Sequence, residues 1–380
     1  MKYSDVLRYY RGKSVLITGH TGFKGSWLTR ILLTAGARVI GYSQDVPTSP
    51  ALFEMAGFEN YKKRGKLISI KGDVRDLDSI TKVVLETKPD ILFHLAAQPI
   101  VRTSYKNPVL TYETNVIGTV NFMEAIRLAK SAGQAPKSVV VITTDKVYKN
   151  EERELWGYRE YEPLDGYDPY SNSKSCAELV VHSYRSAFFK SEDGTWSVPI
   201  STARAGNVIG GGDFASDRII PDCVRAVERA LIDEQEEAII AVRNPFSTRP
   251  YQHVLEPIAM YLKLAAIQAE NHKLSDWYNV GPDDCDCLTT GELVTLFCKY
   301  WNKYKKVPVA TWKDVADINA PHEATFLKLD STKIKQKLGY APRWHIAECV
   351  EKTVEFSRVY FEDRKSIPKE MDRQISEFFH

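Results

Sequence analysis

Six short apolar runs within the first 204 residues set the strongest limit on how this chain folds. They are SVLIT (14–18), RVIGY (38–42), KLISI (66–70), DILFHLA (90–96), SVVVIT (138–143) and PISTAR (199–204). Each is near-continuously apolar and does not alternate with polar residues. A strand reads that way when both of its faces are buried, and such strands belong to parallel sheets covered by helices. Segments of helical spacing lie between the runs. SWLTRILLTAG closes on Gly36, and NVIGTVNFMEAIRLAKSAG also closes on glycine, as helix C-termini do. The alternation predicts an α/β fold: a Rossmann-type doubly wound parallel sheet with right-handed crossovers.

With 380 residues the chain exceeds one ordinary domain and predicts two lobes. The rhythm changes after residue 204. GNVIGGGDFASDRIIP reads as a glycine-rich loop, and PDCVRAVERALIDE and TRPYQHVLEPIAMYLKLAAIQAE each supply a helix. WYNVG (277–281) is a late strand that rejoins the first sheet. Residues 1–203, with 249–281 returning, are read as a dinucleotide-binding domain. Residues 204–248 and 282–380 are read as a smaller, discontinuous α+β substrate lobe. The closing RKSIPKEMDRQISEFFH reads as a peripheral tail or short helix.

Charge excludes some classes of function. Lys plus Arg number 51 against 49 Asp plus Glu, a net +2, so nothing favours nucleic acid or an anionic membrane. No run reaches the ~20 apolar residues of a membrane span, and the N-terminus lacks a signal-peptide pattern. The expected place is the cytoplasm. The six cysteines are scattered. Only Cys285 and Cys287 are close, and with no adjacent Cys or His they are read as reduced thiols, with no metal site.

The first strand runs straight into Gly19-His20-Thr21-Gly22-Phe23-Lys24-Gly25. Glycines at this spacing let the backbone turn tightly and approach a diphosphate, whose charge the following helix N-terminus stabilises. Strand before and helix after are the context that makes the motif specific. An acid for the adenosine ribose falls about 20 residues on. Asp45 comes slightly late for that role, and Arg38 opens the second strand, a poor place for a 2′-phosphate ligand. Asp73 in KGDVRD is placed to meet the adenine end or to cap a helix. His20 either loosens the grip on the cofactor or faces solvent. His94, inside an apolar strand, reads as a core histidine.

Two further motifs carry chemistry. Tyr170-Ser171-Asn172-Ser173-Lys174 places a phenol and an ammonium on one helix face, where the cation favours the phenolate. The run VVVI leads into Thr143-Thr144-Asp145-Lys146, an acid beside a base at the end of a buried strand. An elimination uses such a pair, since one proton leaves as another arrives.

On GHTGFKG, GDVRD, HLAAQ (94–98), ETNVIGT, TTDKVY, YSNSK, RAGNVIGGGD and YNVG, the chain resembles the extended short-chain dehydrogenase/reductases over nearly its whole length. Within them it is most similar to the nucleotide-sugar 4,6-dehydratases, although the dTDP-glucose members usually carry Thr-Asp-Glu where this chain has Thr144-Asp145-Lys146. The resemblance implies a reaction on a nucleotide-activated glucose. Tyr170 takes the 4-hydroxyl proton as hydride passes to the nicotinamide. Lys146 removes the C5 proton, Asp145 protonates the departing 6-hydroxyl, and hydride returns to C6. Thr144 polarises the 4-ketone, and Lys174 supports Tyr170. A redox-neutral cycle implies NAD held in its oxidised form.

Gly19, His20, Thr21, Gly22, Phe23, Lys24, Gly25, Asp73, Val74, Leu95, Ala96, Ala97, Gln98, Asn115, Tyr170 and Lys174 are the cofactor candidates. Arg102, Asn207, Arg218 and Arg249 are the substrate candidates, with His322 and Glu323 within reach of the nucleotide. A homodimer or higher homo-oligomer formed through the helices at 108–132 and 168–189 is also implied. Two other readings stay open: a sugar 4-epimerase, which does not need Asp145 and Lys146, and a silent dinucleotide-sensing regulator, which usually lacks the Tyr or the Lys.

Overall fold

The computed structural model describes residues 1–191, 194–304, 308–316 and 325–380. Six strands, β1 (Ser14–Thr18), β2 (Arg38–Ser43), β3 (Leu67–Lys71), β4 (Ile91–His94), β5 (Ser138–Thr144) and β6 (Ile200–Ala205), join the late strand Trp277–Val280 in one sheet. Its order is β3-β2-β1-β4-β5-β6 followed by Trp277–Val280, and every pairing is parallel. This is the doubly wound Rossmann arrangement with one strand added, and its order reverses between β1 and β4. The fourth run is shorter than the sequence reading, because Leu95 and Ala96 already belong to the loop above β4.

The continuous apolar runs divide by pleat. Leu16, Ile40, Leu92, Val139 and Val141 pack on one face with Phe122, Met123 and Ile126. Val15, Ile17, Val39, Ile91, Phe93, Val140 and Ile142 pack on the other with Trp27, Leu28, Ile31 and Ile258. Successive residues of one strand therefore enter different cores, each side chain contributing about 1.5–3 kcal/mol by leaving water.

Beyond β6 the chain forms small two-stranded pairings: Val208–Ile209 with Gln252–His253, Thr248–Pro250 with Cys287–Thr289, and Glu237–Val242 with Val309–Asp314. The first of these follows β6 directly in the chain. The C-terminal segment is the helix the sequence allowed, but it is not peripheral. Ile367–Phe379 is a helix whose Ile367, Met371, Ile375, Phe378 and Phe379 are all buried. It packs on the helix Phe23–Thr34, where Arg30 Nε donates to Asp372 Oδ1 at 2.7 Å. Spacings of three and four residues put those apolar side chains on one helix face.

Candidate active site

The glycine loop is shaped by close backbone approaches. Gly19 has φ +78°, and a Cβ there would lie 2.7 Å from the backbone nitrogen of Ala96. A Cβ on Gly25 would lie 2.1 Å from the Gly19 carbonyl oxygen. Only glycine lets the turn, the β4 loop and the helix Phe23–Thr34 meet so closely. Gly22 opens that helix without a side-chain cap, so the first N–H groups are not taken by a capping side chain, as an anion site requires. The sheet's order reverses beside this loop, where ligands of such folds bind.

His20 does not face solvent. It is buried, with Nδ1 2.9 Å from Ser43 Oγ and Nε2 2.7 Å from Ser69 Oγ. Burial pushes its pKa down to about 4, so the ring is neutral and pins the ends of β2 and β3 together. Asp45 is exposed and paired with Lys71 at 2.6 Å, while Thr21 Oγ1 donates to its carbonyl oxygen at 3.5 Å. Asp73 is not a helix cap; Asp76 caps Leu77–Thr87 through the Ser79 N–H. Asp73 instead accepts from Gln44 Nε2 at 2.6 Å and Arg75 Nη2 at 2.7 Å. Val74 is buried beneath Gly118. His94 is a core residue, 2.8 Å from Thr18 Oγ1 and stacked on Phe122.

Above β4, Leu95, Ala96 and Ala97 lead to Gln98. The Gln98 N–H donates to Asn115 Oδ1 at 2.8 Å, and Asn115 Nδ2 donates to Ser173 Oγ at 2.9 Å. Asn115 lies in a π-helical turn, Glu113–Ile117. Its single side chain joins the β4 loop to the helix Pro169–Phe188.

That helix starts where local chemistry dictates. Asp168 accepts from the Ser171 N–H at 3.0 Å and Pro169 occupies the first turn. Tyr170 is thereby held in the first turn, its own N–H donating to Ser104 Oγ at 3.1 Å. Lys174 Nζ donates to the Ile142 carbonyl of β5 at 3.3 Å. Burial pushes the Tyr170 phenol up to about 12, while the Thr144 hydroxyl and the Arg218 charge pull the other way. Burial pushes the Lys174 ammonium down to about 8.

At the end of β5, Thr144 Oγ1 donates to Asp145 Oδ1 at 2.9 Å. Asp145 is buried, and its Oδ2 has no hydrogen-bond partner among the described residues. Burial raises its pKa, opposed by the charge of Lys146, the Thr144 hydrogen bond, and the charges of Arg249 and Lys24. Lys146 is half-buried in the turn Asp145–Val147. Lys24, assigned to the cofactor loop from sequence, also faces this centre. Burial, then Arg218 and Lys174, push it down to about 8.

The fold thus gathers Lys24, Thr144, Asp145, Lys146, Tyr170, Lys174, Arg218 and Arg249 around one position. Arg218 Nη1 contacts Asp213 Oδ2 at 3.0 Å, a partner the sequence did not reveal. Arg249 donates to the Thr248 carbonyl at 2.8 Å. Arg102 stands further out, 3.5 Å from Asp217. Asn207 follows β6, its carbonyl accepting from the Gln252 N–H at 3.0 Å. His322 and Glu323 lie outside the described residues. One cysteine of the C-x-C pair gains a histidine neighbour in the fold: His345 Nδ1 lies 2.8 Å from Asp286 Oδ2, beside Cys285.

A family profile described as GDP-mannose 4,6 dehydratase matches residues 16–353. The chain belongs to this family. It is 43% identical over 374 residues to the CDP-glucose 4,6-dehydratase of Salmonella typhimurium, covering 97% of each chain. It is 26% identical to the CDP-paratose 2-epimerase of Salmonella typhi, over 78% of this chain and 87% of that one. Among solved structures, it is similar to DesIV, a dTDP-glucose 4,6-dehydratase from Streptomyces venezuelae with NAD and TYD bound. There the TM-score is 0.71 and the identity 22%, covering 92% of this chain and 98% of that one. The UDP-glucuronic acid 4-epimerase of Bacillus cereus gives a TM-score of 0.71 at 20% identity, covering 91% and 99%. The dehydratase and the epimerase both share this chain's fold, so architecture alone does not separate their activities.

Proposed function

We propose that the protein is a hydro-lyase that converts CDP-glucose to CDP-4-keto-6-deoxyglucose with NAD held through the cycle. One observation carries this reading. A buried carboxyl with an unpartnered oxygen, Asp145, adjoins Lys146 at the strand end that Tyr170 and Lys174 face. Proton removal from a hydroxyl needs only the tyrosine; loss of water needs an acid and a base as well. The 43% identity to a CDP-glucose enzyme over 97% of both chains supports the choice of nucleotide.

The residues present fit NAD. The glycine turn, the uncapped helix start and the 95–98 loop surround the topological switch point. Lys174 uses one of its three protons at Ile142, leaving donors suited to a ribose hydroxyl. When bound, NAD supplies reversible hydride acceptance, and its positive charge favours the Tyr170 phenolate. Tyr170 takes the proton of the sugar 4-hydroxyl, and Thr144, turning its one hydroxyl proton away from Asp145, donates toward the 4-oxygen. Lys146, once it has shed its own proton, takes the C5 proton made acidic by the 4-ketone and gives it back to C5 at the end of the cycle. Asp145, whose burial favours the protonated form, gives its proton to the 6-hydroxyl, which departs as water. Arg218 and Arg249 hold the diphosphate, guanidinium being matched to its oxygens, with Asn207 beside them and Arg102 at the outer edge. Residues 204–248 and 282–380 serve as the substrate lobe.

The chain acts as a homodimer in this reading. Val109, Ile117 and Leu179 are exposed apolar residues on the segments 108–132 and 168–189, a patch of the kind that partners cover. Among the described residues no helix is long and apolar enough to cross a membrane.

The deciding experiment incubates the protein with NAD and, separately, CDP-, dTDP-, UDP- and GDP-linked glucose. The 4-keto-6-deoxy sugar absorbs in the ultraviolet in alkali. Absorbance with CDP-glucose and no net change in cofactor supports the reading; absence of the signal with all four refutes it. An epimerase leaves no such signal.

A further inference from the structure

The helix Pro169–Phe188 carries one buried acid that the proton transfers above leave unused. Glu178 stands one turn beyond Lys174, on the same helix face. It and Arg204 of β6 are both wholly closed to solvent. Arg204 Nη2 donates to Glu178 Oε2 at 2.9 Å, and Thr202 Oγ1 donates to the same oxygen at 2.8 Å. Thr143 Oγ1 donates to Oε1 at 2.5 Å. Arg204 Nη1 reaches the Tyr148 hydroxyl at 2.8 Å and the Glu160 carbonyl at 3.0 Å. Tyr148 lies two residues past Lys146, and its hydroxyl donates to Asn279 Oδ1 at 2.6 Å. One carboxylate therefore ties the helix of Tyr170 and Lys174 to the end of β5, to β6 and to the turn that carries Lys146.

Stability does not account for a charged pair at this depth, because well-packed apolar residues are often as good or better there. We propose that Glu178 is a positioning residue of the dehydration, holding Lys174 and the Thr143–Asp145 end of β5 in the arrangement that the proton transfers require. This rests on the dehydratase reading. The electrostatics agree with the geometry. Burial lowers the Lys174 ammonium, and the Glu178 charge is what opposes it. Burial raises the Glu178 carboxyl, but Arg204 and His182 outweigh that and hold it well below the usual carboxylate range. Lys174 also faces Lys24 of the glycine loop and His94 of β4. Glu178 further faces Tyr148 and Arg185. Among these groups Glu178 is the anion.

Glu178→Gln alone would strand Arg204 uncompensated in the interior. The informative variants are the neutral pair Glu178→Gln/Arg204→Gln and the charge-preserving Glu178→Asp. The experiment measures kcat and KM from pH 6 to pH 10 (an assay window of the order spanned by the Lys and Tyr values) together with thermal midpoints. In the neutral pair, KM is expected to stay within about twofold and kcat to fall at least about tenfold. The basic limb of its kcat profile is expected to move to lower pH by about one unit, because Lys174 sheds its proton more readily. Glu178→Asp is expected to keep the limb where it is but lose about tenfold in kcat, its carboxylate being one methylene shorter.

A neutral pair with the wild-type kcat and limb overturns the proposal. So does a fall in kcat with the limb unmoved, which a merely structural role would produce. Should the neutral pair not fold, Glu178→Asp decides alone, and a wild-type kcat there overturns the proposal. A wild type that makes no keto sugar overturns the dehydratase reading, and this proposal with it; an active wild type isolates the failure to Glu178.

Discussion

Replacing Asp145 by Asn separates the acid's chemistry from its packing. Asparagine has the same shape, and its Oδ1 keeps the 2.9 Å hydrogen bond from Thr144 Oγ1. The donated proton alone is lost. A positioned general acid contributes about 10²–10⁴-fold, so kcat on CDP-glucose should fall by that factor, about 3–5 kcal/mol at 1.36 kcal/mol per tenfold. The same substitution should stabilise the fold. Burial raises the Asp145 pKa above its ordinary value of 3.8, so from 3.8 up to the raised value the folded state binds more protons than the unfolded chain. Stability from this group is present below 3.8 and declines as pH rises through the folded pKa. Asp145→Asn removes that decline, so its thermal midpoint should match wild type near pH 4 and exceed it at pH 8. The kinetic assay compares CDP-glucose with its 6-deoxy-6-fluoro analogue, whose fluoride departs without needing a full proton. The deficit should shrink markedly on the analogue. Equal deficits on both substrates would refute Asp145 as the acid, and a lower midpoint at pH 8 would refute the account of its burial.

Tyr170→Phe and Lys146→Met should each abolish the alkaline ultraviolet signal, with losses of at least about 10²-fold; cofactor affinity of Lys146→Met, measured by calorimetry, should stay near wild type. Glu256 is buried, accepts from the Arg343 and Trp344 N–H groups at 2.8 Å, and burial pushes it up to about 7 from 4.5. Its stability contribution should be full below pH 4.5 and decline by on the order of 3 kcal/mol as pH rises through 7; Glu256→Gln should flatten that part of the thermal-midpoint profile. Deleting Ile367–Phe379 exposes the core beneath five buried apolar side chains, worth about 10 kcal/mol at 1.5–3 each. That equals a typical total stability, so the truncated chain should be insoluble or unfolded by circular dichroism.

Most of the sheet is legible in the sequence, because a strand buried on both faces writes an uninterrupted apolar run. β1 coincides with SVLIT, and WYNVG rejoins the sheet beside β6 as its apolar core suggests. The glycine loop and Tyr170-x-x-x-Lys174 were legible because their spacing follows from backbone geometry. Those motifs carry their meaning within a few residues, and local order is what a sequence writes most directly. The C-terminal helix was legible in principle through its spacing, but its destination against Arg30 was not.

What the chain by itself determined is the class of fold, the dinucleotide loop, and the acid and base waiting at the end of β5. What only tertiary structure decided is everything that depends on partners distant in the chain. His20 turned inward because Ser43 and Ser69 arrive from two other strands. Lys24 came to face Lys174 and Asp145 because the loop after β1 lies beside the end of β5. Glu178 became a hub because Thr143, Thr202 and Arg204 converge on it from β5 and β6. Burial and field are sums over neighbours, and a carboxyl's protonation is set by what surrounds it in space, which no local run of letters records.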